Sequence, residues 1–171
     1  MSFIARLFAK RPDDRTPVRP LWHRAVEIAR EPKWYAECGI ADSVAGRFDA
    51  ITLVLGLILL RMERGKDLAR PSVLLTELFV DDMDGQLREA GIGDMGVGKH
   101  IGRLMSTMGG RLGALREALP QGVEALAPVI ARNITMADGG DPAKVAAEAL
   151  ALAAQLDGLD DAALLAARVD R

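Results

Sequence analysis

Between Arg47 and Arg61 the chain carries an eleven-residue run, Ala50 to Leu60 (AITLVLGLILL), that is apolar on nearly every side of a helix. A helix without a polar face has to be surrounded by other elements. A membrane span needs roughly 20 such residues, about twice what this run offers, so the run predicts a buried helix at the centre of a bundle. Asp42 is placed to cap that helix at its start and Gly65 to end it. Half of the 171 residues are hydrophobic and only 4% aromatic, and no alternating β-branched run marks a sheet. Fold class is therefore all-α: a single-domain helical bundle with one core around the central helix.

The next stretch, Ser72 to Leu119, reads as a helical hairpin. Leu75, Leu78, Phe79, Met83, Leu87 and Ala90 recur at three- and four-residue steps and mark a buried side. Glu77, Asp81, Asp84 and Arg88 share another side, mostly acidic. In the second arm Val97, Ile101, Leu104, Met108, Leu112, Leu115 and Leu119 draw an apolar stripe, with the cations Lys99 and Arg103 beside it.

The joint of the hairpin holds two phosphate-loop patterns, GxGxxG at Gly91, Gly93 and Gly96, and GxxxxGK from Gly93 to Lys99. Both cradle phosphate only when a strand precedes the loop and a helix follows it. Here the preceding segment reads as helix, and His100 stands where the second pattern needs a Ser or Thr for magnesium. A nucleotide-binding switch at Gly93–Lys99 is the alternative function. The simpler reading makes Gly91 the residue that ends one helix and Asp94 the N-cap of the next. Gly98, Gly102, Gly109 and Gly113 then fall on one narrow side of the second arm, each costing roughly 0.8 to 1 kcal/mol relative to alanine. Such a strip either packs tightly against a neighbouring helix of the same fold or receives a helix from a partner.

Residues 1–20 read as an arm and a linker. Phe3, Ile4, Leu7 and Phe8 lie on one side of a short basic segment with Arg6, Lys10 and Arg11, which suits either a terminus folded onto the domain or a membrane-surface contact. Pro12, Pro17 and Pro20 predict a stiff polar linker without core potential, so the helical domain is expected over 21–171. Further helices are expected from Leu21 to Arg30, from Pro32 up to Gly39, from Val123 to Ile134 with a kink or break at Pro128, and from Lys144 to Leu156. Asp141 and Asp160 are placed as caps for the last of these and for a short helix running to Val169.

Chemistry is sparse. Net charge is −2, too balanced for a nucleic-acid partner to be inferred from bulk electrostatics, and none is predicted. Cys38 is a single cysteine, and His23 and His100 form no metal-ligand spacing. No nucleophile stands at a recognisable spacing from a base. The expectation is a non-enzyme with no catalytic residues, no metal and no cofactor.

Three stretches carry a resemblance: WYAECGIADSVAGRFDAITLVL (from Trp34), LFVDDMDGQLREAGIGDMGVGKHI (from Leu78) and the Gly110–Arg111 pair. Over about Leu21 to Leu119 the chain is similar to the ubiquinol-cytochrome c chaperone family. The resemblance implies an all-helical assembly factor that binds newly made cytochrome b, or another subunit, and helps build the ubiquinol-cytochrome c reductase complex. With no mitochondrial transit peptide in evidence, it implies a bacterial cytoplasmic protein, peripheral at the inner face of the plasma membrane. The partner surface expected on this basis comprises Glu77, Asp81, Asp82, Asp84 and Arg88 with Lys99, Gly102, Arg103 and Arg111. A helical adaptor unrelated to respiration is the blander alternative.

Overall fold

The computed structural model describes residues 14–89, 91 and 94–170. The expected arm with Phe3, Ile4, Leu7 and Phe8 lies outside them, as do Ala90, Gly93 and the side chains of Leu87, Asp94, Val97 and His100. Eight α-helices follow in chain order among the described residues: α1 Arg19–Ala29, α2 Pro32–Ala36, α3 Val44–Met62, α4 Ala69–Glu89, α5 Asp94–Ala118, α6 Val123–Asn133, α7 Pro142–Asp157 and α8 Asp161–Leu165. Short 3-10 turns at Thr16–Val18 and Leu119–Gln121 precede α1 and α6. No strand forms among the described residues, and one isolated antiparallel bridge joins Ile40 to Met136.

The apolar run sits where its composition demands. From Ala50 to Leu60 every residue but Ile51 is buried, and α3 is wrapped by α1, α5 and α7, with α4 against it more lightly. The helix is longer than its apolar run because its polar flanks are paired. At its C-terminal end Arg61, itself buried, donates to the carbonyls of Leu156 (3.2 Å) and Leu159 (2.6 Å) and to Asp161 Oδ1 (3.0 Å). One guanidinium thus ties the end of α3 to the last turn of α7 and to the loop that leads into α8.

The start of α3 differs from expectation. Ser43, in extended backbone geometry, is the N-cap and accepts from Gly46 N at 3.2 Å. Asp42 instead takes the Arg47 guanidinium at 2.6 Å, and that hydrogen bond holds its carboxyl below the usual carboxylate range. Gly46 is required here, since a Cβ would stand 2.0 Å from the Ala41 carbonyl oxygen.

Aromatic side chains finish α1. Trp34 Nε1 donates to Ile28 O at 2.8 Å and Tyr35 Oη to Ala29 O at 2.6 Å, so α2 caps the preceding helix with side chains. Arg24 holds the tail by donating to Val169 O through Nε (3.0 Å) and Nη2 (2.8 Å).

The linker reading needs correction. Val18 is 1% exposed and belongs to the core, and α1 begins at Arg19. Prolines near the first positions of the 3-10 turn and of α1 open helical turns, where a fixed φ suits them and the missing N–H is not needed. Pro128 likewise leaves α6 unbroken from Val123 to Asn133. Asp141 and Asp160 cap α7 and α8 as expected, accepting from Ala143 N (2.9 Å) and Ala163 N (2.7 Å).

Candidate functional site

In α4 the periodicity delivers its predicted buried side: Leu75, Leu78, Phe79 and Met83 enter the core, Phe79 meeting the Trp22 ring edge-on at 5.9 Å. The opposite side is the informative one. Val73, Glu77 and Val80 follow one another along it at four- and three-residue steps, and Val73 is 57% exposed. Met105 of α5, 37% exposed, faces them. Together with Ser72, Thr76, Asp81 and Arg15 these side chains line a groove of about 440 Å³. Of the three large hydrophobic side chains exposed among the described residues, two therefore line this one feature, the third being Val44. Exposed apolar side chains gathered in a concavity mark an interaction site far better than scattered ones do.

The charges around the groove are not equivalent. Asp81 is paired with Arg15, and Asp84 takes Arg88 Nε at 2.6 Å within the helix. Glu77 is exposed and makes no ion pair among the described residues. Asp82, also exposed, stands about 100° around α4 from Asp81 and so leaves the groove side.

On α5 the buried side contains Met108, Leu115 and Ala118, with Ile101, Leu104 and Leu112 partly covered. The glycine strip lies roughly a third of a turn away. Gly98, Gly102 and Gly109 are exposed and Gly113 half-buried, and a Cβ built on any of the four meets no atom of the described residues within 4 Å. The expectation of tight packing against a neighbouring helix of the same fold is thus wrong, because α3 and α6 cover other sides of α5. Lys99 and Arg103 are exposed beyond the strip, on the side away from Met105.

Arg111 is not a surface residue. Its Nη2 donates to Asp49 Oδ1 and its Nη1 to Thr52 Oγ1, both at 2.6 Å, and its side chain is 13% exposed. It belongs to a clamp between α5 and α3 and leaves the expected partner surface. Of that surface, the groove gathers Glu77 and Asp81, with Asp84 and Arg88 continuing along the same side of α4. Gly102, Lys99 and Arg103 form a separate exposed side of α5.

Sequence reasoning missed Val73, Val80, Met105 and Arg15. For the first three a signal existed: each is a large apolar residue off its helix's buried stripe. For Arg15 there was none, since its partner is 66 positions away.

Other chemistry finds little support. The segment before the glycine-rich joint is helix α4, not the strand a phosphate loop requires. Among the described residues no three His, Cys, Asp or Glu side chains are grouped to hold a metal ion. No described helix is long and apolar enough to cross a membrane.

No curated protein matches the chain. Among solved structures it is similar to the crystal structure of the Cbp3 homolog from Brucella abortus, at 30% identity over 90% of this chain and 87% of that one, with a TM-score of 0.77. The fold is therefore shared through nearly the whole length. The ubiquinol-cytochrome C chaperone family matches residues 36–170, and with most of its length inside that match the chain belongs to this family.

Proposed function

We propose that this protein is a non-enzymatic assembly chaperone that binds newly made cytochrome b and assists assembly of the ubiquinol-cytochrome c reductase complex. Family membership over residues 36–170 carries the reading. The groove of α4 and α5 supports it with a surface suited to holding another chain. Exposed Val73 and Met105 favour burial against a partner, by roughly 25 cal/mol for each Å² of apolar surface covered. The exposed glycine side of α5, with Gly102 at its centre, adds room for close backbone approach. The protein works at the cytoplasmic face of the bacterial plasma membrane, with the basic arm containing Phe3, Ile4, Leu7 and Phe8 in peripheral contact with lipid.

The test is affinity capture with the full chain from detergent-solubilised membranes of cells making the complex, read by the haem spectrum and mass of cytochrome b. Enrichment over a resin control is expected. Gly102→Leu should reduce it without lowering the melting temperature, because that position opens to solvent. Capture that never exceeds the control rejects the reading.

A further inference from the structure

We propose that the groove between α4 and α5 seats an amphipathic helical segment of the client in which one lysine or arginine stands a turn away from each of two apolar anchors, the cation meeting Glu77. This rests on the chaperone reading and specifies the chemistry its client presents.

The spacing along α4 sets the shape of the occupant. Val73 and Val80 are two helical turns apart, about 10 Å along the axis, and Met105 closes the groove from the α5 side. Two apolar anchors at that separation are what one face of a helix offers to a groove.

The pairing state of the carboxylates sets the charge. Asp81 is answered by Arg15 and Asp84 by Arg88. Glu77 is answered by nothing among the described residues, and it stands between the valines, four residues after Val73 and three before Val80. A purely apolar helix laid here would strip water from Glu77 and return nothing, which is costly for a charged group. An acidic helix would add repulsion. A helix carrying a cation between its anchors buries the valines and Met105 and answers Glu77 in the same movement. Integral membrane proteins carry such segments: excess lysine and arginine beside apolar stretches is the rule for their cytoplasmic flanks.

The experiment uses the purified full chain and fluorescently labelled helical peptides in which a lysine lies four residues after one leucine and three before another. A second peptide has glutamate in place of the lysine. Anisotropy titrations should show the lysine peptide binding, more weakly as salt rises, and the glutamate peptide about tenfold weaker or worse, since like charges facing each other across an interface repel. Glu77→Lys should invert the preference, which a merely damaged protein would not do. Met105→Asp should weaken both peptides while leaving the melting curve in place. Equal affinity for the two peptides, or no inversion by Glu77→Lys, overturns the proposal.

Tenfold tighter lysine-peptide binding after deletion of Met1–Arg11 gives the groove to the chain's own arm and also overturns it. Self-association abolished by Met105→Asp does so in favour of a second copy. Peptide selectivity in a protein that captures no cytochrome b keeps the groove chemistry and removes that client, whereas capture without peptide selectivity keeps the client and removes the groove.

Discussion

Arg111 Nη2 donates to Asp49 Oδ1 at 2.6 Å, joining α5 to α3 through a pair whose side chains are 13% and 8% exposed. Asp49 has a second duty: its Oδ2 accepts from the backbone N (2.8 Å) and Oγ1 (2.7 Å) of Thr135, just beyond α6. One carboxylate therefore ties three elements together in a place where an unpaired charge is expensive.

Removing either member should cost about 3–5 kcal/mol, because the survivor is left buried without its counter-charge. Asp49→Ala is expected to cost more than Arg111→Ala, since it strands the Thr135 N–H as well. Replacing both by apolar residues of similar volume, Asp49→Leu with Arg111→Met, should cost much less than the two single changes summed. Urea unfolding of the four proteins measures this, and single-variant losses below about 1 kcal/mol would contradict a structural clamp.

The glycines of α5 should behave oppositely to Gly46. Gly98→Ala, Gly102→Ala and Gly109→Ala meet open space, so each is expected to stabilise by about 0.8–1 kcal/mol through helix propensity alone. Gly46→Ala drives its Cβ into the Ala41 carbonyl oxygen and should be strongly destabilising. Thermal melts of the four variants decide it; a melting temperature lowered by Gly102→Ala would mean that this side is covered in solution.

Arg61→Met removes the donor that the Leu156 and Leu159 carbonyls and Asp161 share. Its cost should be about 1.5–3 kcal/mol, in the range of charge-assisted hydrogen bonds lost from a buried site. Hydrogen exchange should show the loss first at the α7–α8 junction. Uniform loosening of the whole bundle would not fit.

Tyr35 gives a pH prediction without assignment problems, since it is the chain's one tyrosine. Burial raises its pKa above the ordinary value of 10.0; Asp42 adds to that rise, while Arg47 and Arg30 oppose it. The folded state thus holds the phenolic proton more tightly than the unfolded chain. Its contribution is fully present below the unfolded pKa and is lost as pH rises through the higher folded value. An ultraviolet titration of phenolate should place the midpoint above that of the urea-unfolded protein, and Tyr35→Phe should flatten the alkaline fall in stability. Identical midpoints folded and unfolded would refute the assignment.

Much of the bundle could be read from the chain, because its information is local. Ala50 to Leu60 has no polar side and so had to be enclosed. Leu75, Leu78, Phe79 and Met83 share one side at helical steps and could only face inward. Asp141 and Asp160 stand where free N–H groups need acceptors, and Gly91 adopts φ +82°, as a helix-ending glycine does. The acidic side of α4 was likewise visible, and with it Glu77 and Asp81 of the groove.

Tertiary structure alone decided who meets whom. Arg111 has the same composition-level signature as Arg103, yet one is buried on Asp49, 62 positions away, and the other lies in solvent. Val18 enters the core because the 3-10 turn before α1 directs it there, although its neighbours are prolines and arginines. The glycine strip is open because α3 and α6 approach α5 from other directions. Helical periodicity fixes which side of an element is apolar, through a spacing of 3.6 residues that any reader can count. It carries no term for the approach of a distant element, and it is that approach which made a groove from Val73, Val80 and Met105 and left Glu77 without an ion pair among the described residues.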